Sequence, residues 1–185
     1  DIHAREHRVR GRLGLSKDGD IVALEIDDLT GIGPYSMYPR TSAVEANQVM
    51  NITGGPYRIA NYRARARVAF QNKVPTSQYR AVGHPIACAV TEGLIEAAGR
   101  KLGIDPFVLR ARNVIPDNAY PTVNAIGLKF EGLSHETCLS KLKALMNYDE
   151  LRRLQARKRA EGVYLGVGIG VFIEITSPGP EFYGV

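Results

Sequence analysis

Apolar and polar positions alternate with a period of two over residues 8–15, "RVRGRLGL", and again over "IVALEIDDLTGIG" from Ile21, with "SKDGD" between the two runs. A period of two belongs to strands, whose successive side chains point to opposite faces of a sheet. Asp18-Gly19 supplies the positive φ angles of a tight turn, so the two runs are expected to pair as an antiparallel hairpin. In the second run Val22, Leu24, Ile26 and Asp28 form the face expected to be buried. A third run, "YRIANYRARARVAF" (57–70), sets Arg63, Arg65 and Arg67 against Ala64, Ala66 and Val68. It reads as a half-exposed strand with its arginines turned outward.

Elsewhere the period changes. Residues 41–51, "TSAVEANQVMN", predict a short helix broken by "TGGP". Pro85 is suited to the first turn of a helix, and Ile86, Val90, Leu94 and Ala97 recur at helical spacing until Gly103. Asp105-Pro106 predicts an N-cap followed by proline at the first helical position, opening a short helix to about Asn113. After a Pro- and Asn-rich connection, Ser134 is expected to cap a helix carrying Leu139, Leu142 and Leu145. Asn147 and Glu150 have capping-box spacing for another helix, which Gly162 stops. "VYLGVGIGVFIEIT" (163–176) then alternates strictly, Leu165 through Ile175 on one face and Gly166, Gly168 and Gly170 on the other. A row of glycines costs strand stability, so a close approach by another backbone, helix or ligand is expected there. The fold class is α+β: an antiparallel or mixed sheet with packed helices, divided into a hairpin and strand region (1–71), a loop and helices (72–162) and a final strand (163–185).

Composition narrows the class. The chain has 185 residues, 44% apolar and 23% charged, close to globular averages and enough for one ordinary domain. Its formal charge of +5 comes largely from "RRLQARKRAEG" and the N-terminal "HAREHRVRGR", with few aromatics interleaved. Such runs read as solvated faces, without the stacking residues of a nucleic-acid surface. Cys88 and Cys138 fall inside helical patterns with no ligand spacing, which predicts buried thiols in a reducing, cytoplasmic compartment. No run of about 18 apolar residues indicates membrane insertion. The chain opens on "DIHAREHRVRG" without an initiator Met, so an inner piece of a longer protein is expected.

Candidate chemistry is sparse. The four histidines lack metal-ligand spacing, with His3 and His7 placed at a frayed N-terminus. "GVGIGV" imitates a dinucleotide fingerprint but sits inside a strand with no helix after it. Asp27/Asp28 and Asp149/Glu150 read as caps or solvated groups. What remains is the loop "PTSQYRAVGHPIACAV" (75–90), which delivers Arg80 with no acidic residue closer in sequence than Glu92. A cation so placed calls for an anionic partner from elsewhere.

The run 55–115, with "PYRI", "NKVPTSQYR" and "LGIDPFVLRARN" in that order, closely resembles the molybdenum-binding subunit of the xanthine dehydrogenase/aldehyde oxidase family. "SKDGDIVALEIDDLTGIGPYS" resembles the preceding hairpin of that family, and "GVGIGVFIE" its following strand. The resemblance implies a hydroxylase that inserts a water-derived oxygen into a C–H bond of an aldehyde or N-heterocycle at a molybdenum-molybdopterin centre. It also implies iron–sulfur clusters and FAD on partner domains or subunits, and no nucleic-acid or membrane partner. Arg80 takes the place of the loop arginine beside the cofactor and Tyr79 an aromatic position before it, while Ala81, Val82 and Gly83 form the substrate-facing turn. Val82 stands where purine oxidisers carry an aromatic ring, and Gln48 falls near their substrate-orienting arginine. The carbon monoxide dehydrogenase branch has cysteine at the place of Ala81. The catalytic glutamate, a glycine-rich segment and a glutamine-containing loop of that family have no match here, so no catalytic residue and no metal ligand is assigned within the chain. His84 reads as a helix start or a substrate contact. A non-catalytic binding or assembly module with the same fold is the alternative.

Overall fold

The computed structural model describes residues 2–38 and 41–175. Strands β1 (His7–Leu15) and β2 (Ile21–Gly31) form the expected antiparallel hairpin, and β3 (Asn61–Ala69) pairs parallel to β2, giving a mixed three-stranded sheet in the order β1-β2-β3. Of the turn residues only Gly19 takes a positive φ, at 91°. A register shift at Gly14/Leu15 turns Ile21 inward and Val22 outward, after which Leu24, Ile26 and Asp28 are buried as expected. Helix α1 (Val44–Ile52) crosses to β3, whose Ala64, Ala66 and Val68 are nevertheless exposed along with the arginines. Edge position explains this: β3 has one neighbour, and α1 covers only its start, where Tyr62 donates to Met50 O at 2.8 Å.

Helix α2 (His84–Leu102) packs on β1 and ends at Gly103 in the left-handed region. Its buried face runs through His84, Ala87, Thr91, Ile95 and Gly99. Ile86, Val90 and Leu94 are partly buried against Leu24, Ile26 and Val49, and Ala97 is exposed. The helix is therefore wedged between two sets of neighbours, and a single stripe describes it poorly. Helix α3 (Pro106–Asn113) begins as the sequence predicts, Asp105 Oδ1 accepting from Phe107 N–H at 2.8 Å and Val108 N–H at 3.4 Å.

The later part departs further from expectation. A short hairpin of β4 (Thr122–Val123) and β5 (Lys129–Phe130) occupies the Pro- and Asn-rich connection. Helix α4 (His135–Leu145) is capped by Asp117, whose carboxylate accepts from the N–H groups of Glu136 and Thr137, and not by Ser134. Leu139 is buried, whereas Leu142 is 39% exposed and Leu145 more so, because α4 touches the core along one narrow line. Cys138 is exposed and Cys88 half-buried, both as free thiols. Helix α5 (Tyr148–Ala160) starts after Asn147 at φ 44°, a geometry that forms no capping box; Glu150 pairs instead with Arg153 and Arg157.

Residues 163–175 form no strand, and residues 176–185 lie outside the described residues. The alternation holds from Val167, since Val167, Ile169 and Val171 pack on the core beside Ile95 and Phe107, whereas Leu165 is exposed. Side chains satisfy backbone groups that a ladder would have used: Gln155 donates to Leu165 O, His135 to Phe172 O, and His84 Nε2 accepts from Ile175 N–H. Gly166, Gly168 and Gly170 face open space, so the expected close approach is absent among the described residues.

Candidate functional site

The loop 75–83 is fastened at its start. Thr76 N–H donates to Ile32 O at 3.1 Å, Thr76 Oγ1 to Gly31 O at 2.9 Å, and Ser77 N–H to His3 O at 3.1 Å. At its end Gly83, φ 75°, lies against α1: an added Cβ would stand 2.6 Å from Gln48 Cβ and 2.8 Å from Glu45 O. Only glycine fits both the angle and the space. Ala81 also occupies the left-handed region, at φ 59°, which costs a non-glycine residue on the order of 1–2 kcal/mol.

A buried group of charges underlies this loop. His7 Nδ1–H donates to Asp28 Oδ2 at 2.8 Å, and Thr30 Oγ1 donates to the same oxygen at 2.9 Å. On its other side His7 Nε2 lies 3.8 Å from Glu45 Oε2, and Glu45 Oε1 lies 3.2 Å from Arg5 Nε. Burial alone lowers the His7 pKa, but the bonds to Asp28 and Glu45 outweigh it and raise the value to about 9. Two cations, Arg5 and His7⁺, thus balance two carboxylates. The cluster reaches the loop at its middle and its end: Arg5 Nη2 donates to the carbonyls of Tyr79 and Arg80, and Gly83 N–H donates to Glu45 Oε1 at 3.3 Å. Arg5 also sits 5.7 Å from the Tyr79 ring centre.

Sequence reasoning missed this cluster. Asp28 on the buried face of β2 was the available signal, because a carboxylate on an apolar face requires a partner. The β1–β2 register supplies it, pairing His7 with Thr30. Far from lying at a frayed end, His7 is the first residue of β1.

The structure gathers Tyr79, Arg80, Ala81, Val82 and Gly83 on one turn, with Gln48 buried beneath Gly83. The Arg80 side chain is exposed and makes no hydrogen bond or ion pair among the described residues; Tyr79 is also exposed. Glu92, the nearest acid in sequence, is taken by Arg110 and Tyr57. Among the described residues no group accepts from the Ala81 or Val82 N–H, and Gln48 Oε1 is buried without a partner. His84 begins α2, donating from Nδ1 to Val82 O at 2.9 Å and accepting at Nε2 from Ile175 N–H at 3.0 Å, so both ring nitrogens are engaged. Burial raises the Cys88 pKa, which disfavours the thiolate a metal ligand needs. A free guanidinium beside unpaired N–H groups is the donor set of an anion site. A separate cleft of about 520 Å³, lined by Tyr57, Ile59, Tyr62, Ile115 and residues 122–126, includes none of these groups.

Residues 1–114 match the family model described as the molybdopterin cofactor-binding domain. The chain is 32% identical over 173 residues to the nicotine 6-hydroxylase large subunit of Paenarthrobacter nicotinovorans, covering 93% of this chain and 21% of the relative. It is 29% identical to the aldehyde oxidoreductase of Megalodesulfovibrio gigas, covering 84% of this chain and 17% of the relative. The crystal structure of quinoline 2-oxidoreductase from Pseudomonas putida 86 superposes with a TM-score of 0.84 at 32% identity, over 92% of this chain and 22% of that one. The chain therefore spans about a fifth of the length of these relatives. With a matched family model over more than half its length and a relative 32% identical over 93% of it, the chain belongs to the molybdopterin cofactor-binding domain family.

Proposed function

We propose that residues 1–185 form part of the first molybdopterin-binding domain of a molybdenum hydroxylase acting on an aldehyde or N-heterocycle. Such a centre, when bound, accepts two electrons as a water-derived oxygen enters the substrate C–H bond. The contribution of this chain is one wall of the site. Arg80 balances the anionic cofactor and orients it through charge-assisted hydrogen bonds, and the Ala81 and Val82 N–H groups extend that donor row. Tyr79 shields the cofactor side of the loop. Ala81, Val82 and Gly83, with Gln48 behind them, border the substrate; Val82 offers no ring for stacking on a purine. Electrons leave through iron–sulfur and flavin groups on partner domains or subunits, in a cytoplasmic assembly.

The observation that carries this reading is Arg80, whose side chain has no partner among the described residues, on a strained turn whose backbone is gripped from below by Arg5 and Glu45. The longer protein should contain about one molybdenum per subunit and transfer label from ¹⁸O-water into a hydroxylated N-heterocycle or carboxylic acid. Residues 1–185 alone should bind none. A longer protein that folds without molybdenum and turns over neither substrate class would support the non-catalytic module.

A further inference from the structure

The uncovered face of the three-stranded sheet carries an ordered array of charge. Its register aligns Arg12, Glu25 and Arg63 in one row across the strands, Arg10, Asp27 and Arg65 in the next, and Arg8, Leu29 and Arg67 in the third. Residues paired in register share a face. Six guanidiniums thus meet two carboxylates, an excess of four positive charges, and all six arginines are exposed. Glu25 binds Arg63 at 2.7 Å and approaches Arg12 at 3.9 Å, while Asp27 binds Arg67 at 3.1 Å. Arg8, Arg10 and Arg65 have no carboxylate partner among the described residues.

Folding does not explain this array. The apolar core lies on the opposite face, with Leu24, Ile26, Val9 and Leu13, and among the described residues the only large apolar side chain within the array is the half-buried Leu29. Rows about 7 Å apart place the unpaired Arg8 and Arg10 within one Debye length of each other, where they repel, and Arg65 lies two strands away, about 10 Å from Arg10. An acidic partner removes that penalty and adds fork-shaped, charge-assisted contacts suited to carboxylates. No aromatic residue lies in these rows, so a stacking platform for nucleic-acid bases is lacking. Nine positions are fewer than the roughly 20–30 residues a side of a stable interface, so the array sets orientation and association rate within a larger contact.

We propose that this arginine array docks an acidic face of a second subunit of the assembly, whose carboxylates seat between the two arginine strands. The proposal rests on the reading that the protein works with partner subunits. Its test separates the molybdenum subunit of the purified assembly from its partner and measures their reassociation at about 0.05 M and about 0.2 M salt. Arg10→Glu with Arg65→Glu reverses two charges that hold no ion pair in this chain. Association should weaken at least about tenfold at low salt, with a shallower salt dependence, while the subunit stays folded. Arg10→Gln with Arg65→Gln should give a smaller loss in the same direction, and serves if the first variant does not fold. Wild-type association and salt dependence in either variant overturn the proposal. So does a loss of subunit stability without a change in association, which would place the array against the same polypeptide. Binding to duplex DNA that the variants abolish, with reassociation intact, would assign the face to nucleic acid and equally overturn it. A protein isolated with no second subunit overturns the assembly reading as well, whereas an assembly indifferent to the variants overturns only the docking surface.

Discussion

Arg110 in α3 and Arg80 in the loop before α2 show two ways in which one fold treats the same cation. Arg110 is 1% exposed. Its Nε donates to Glu92 Oε2 at 2.8 Å, its Nη1 donates to Pro106 O at 3.0 Å, and Tyr57 OH donates to the other oxygen of Glu92 at 2.8 Å. Every strong partner of Arg110 belongs to this chain, so its position is a property of the fold. Arg80 is exposed on a turn whose backbone is tied to Arg5 and Glu45, yet its guanidinium has no partner among the described residues. The fold spends its contacts on the carbonyls and N–H groups around Arg80 and leaves the charge free. The ligand role proposed for Arg80 differs from the structural role of Arg110 in where the bonds end, on the backbone beneath the side chain or on the side chain itself.

The sharpest contrast is in stability. Arg110→Ala leaves the Glu92 carboxylate without its cation in a closed site, and should cost about 3–5 kcal/mol in urea unfolding of residues 1–185. A loss below about 1 kcal/mol would remove the distinction between the two arginines. Next in size is a pair within α4. Leu139→Ala should cost about 2–5 kcal/mol, because that side chain is buried, and Leu142→Ala less than about 0.5 kcal/mol. Equal losses would mean that α4 packs through both leucines.

That pair also shows how far the sequence could be read. The spacing of Leu139, Leu142 and Leu145 announced a helix, but periodicity alone does not say how wide a stripe its neighbours cover. The same holds for 163–175, where alternation correctly separated core-facing from outward residues from Val167 onward while pairing depended on a neighbouring strand that the described residues do not provide. The Asp105-Pro106 start, Gly103 and the β1–β2 hairpin were legible because local chemistry decides them. The site was half legible. Arg80, Tyr79 and the turn 81–83 stood out in one contiguous loop, whereas Arg5 and His7, Asp28, and Glu45 come from three separate stretches and meet only through strand register and the crossing of α1.

The charge cluster supplies a pH test of intermediate size. His7 is raised to about 9 in the folded chain, from an unfolded value near 6.5, so its contribution is complete below about pH 6.5 and is lost as pH rises through about 9. The urea midpoint of residues 1–185 should fall across that window, and His7→Asn should flatten the dependence. An unchanged slope in the variant would assign the pH dependence to other groups. Smallest of all, Arg80→Ala should move the unfolding free energy by less than about 0.5 kcal/mol, since the side chain leaves no partner behind among the described residues.

The central claim is that Arg80 serves a ligand and not the fold. Its most direct test is the molybdenum content of the longer protein carrying Arg80→Ala, measured beside its unfolding midpoint. The account predicts molybdenum occupancy, or turnover per molybdenum, lower by at least about tenfold with the midpoint unchanged, as expected for loss of a charge-assisted contact of roughly 1.5–3 kcal/mol. Full molybdenum content with normal turnover, together with a lowered midpoint, would contradict it and make Arg80 a structural residue like Arg110.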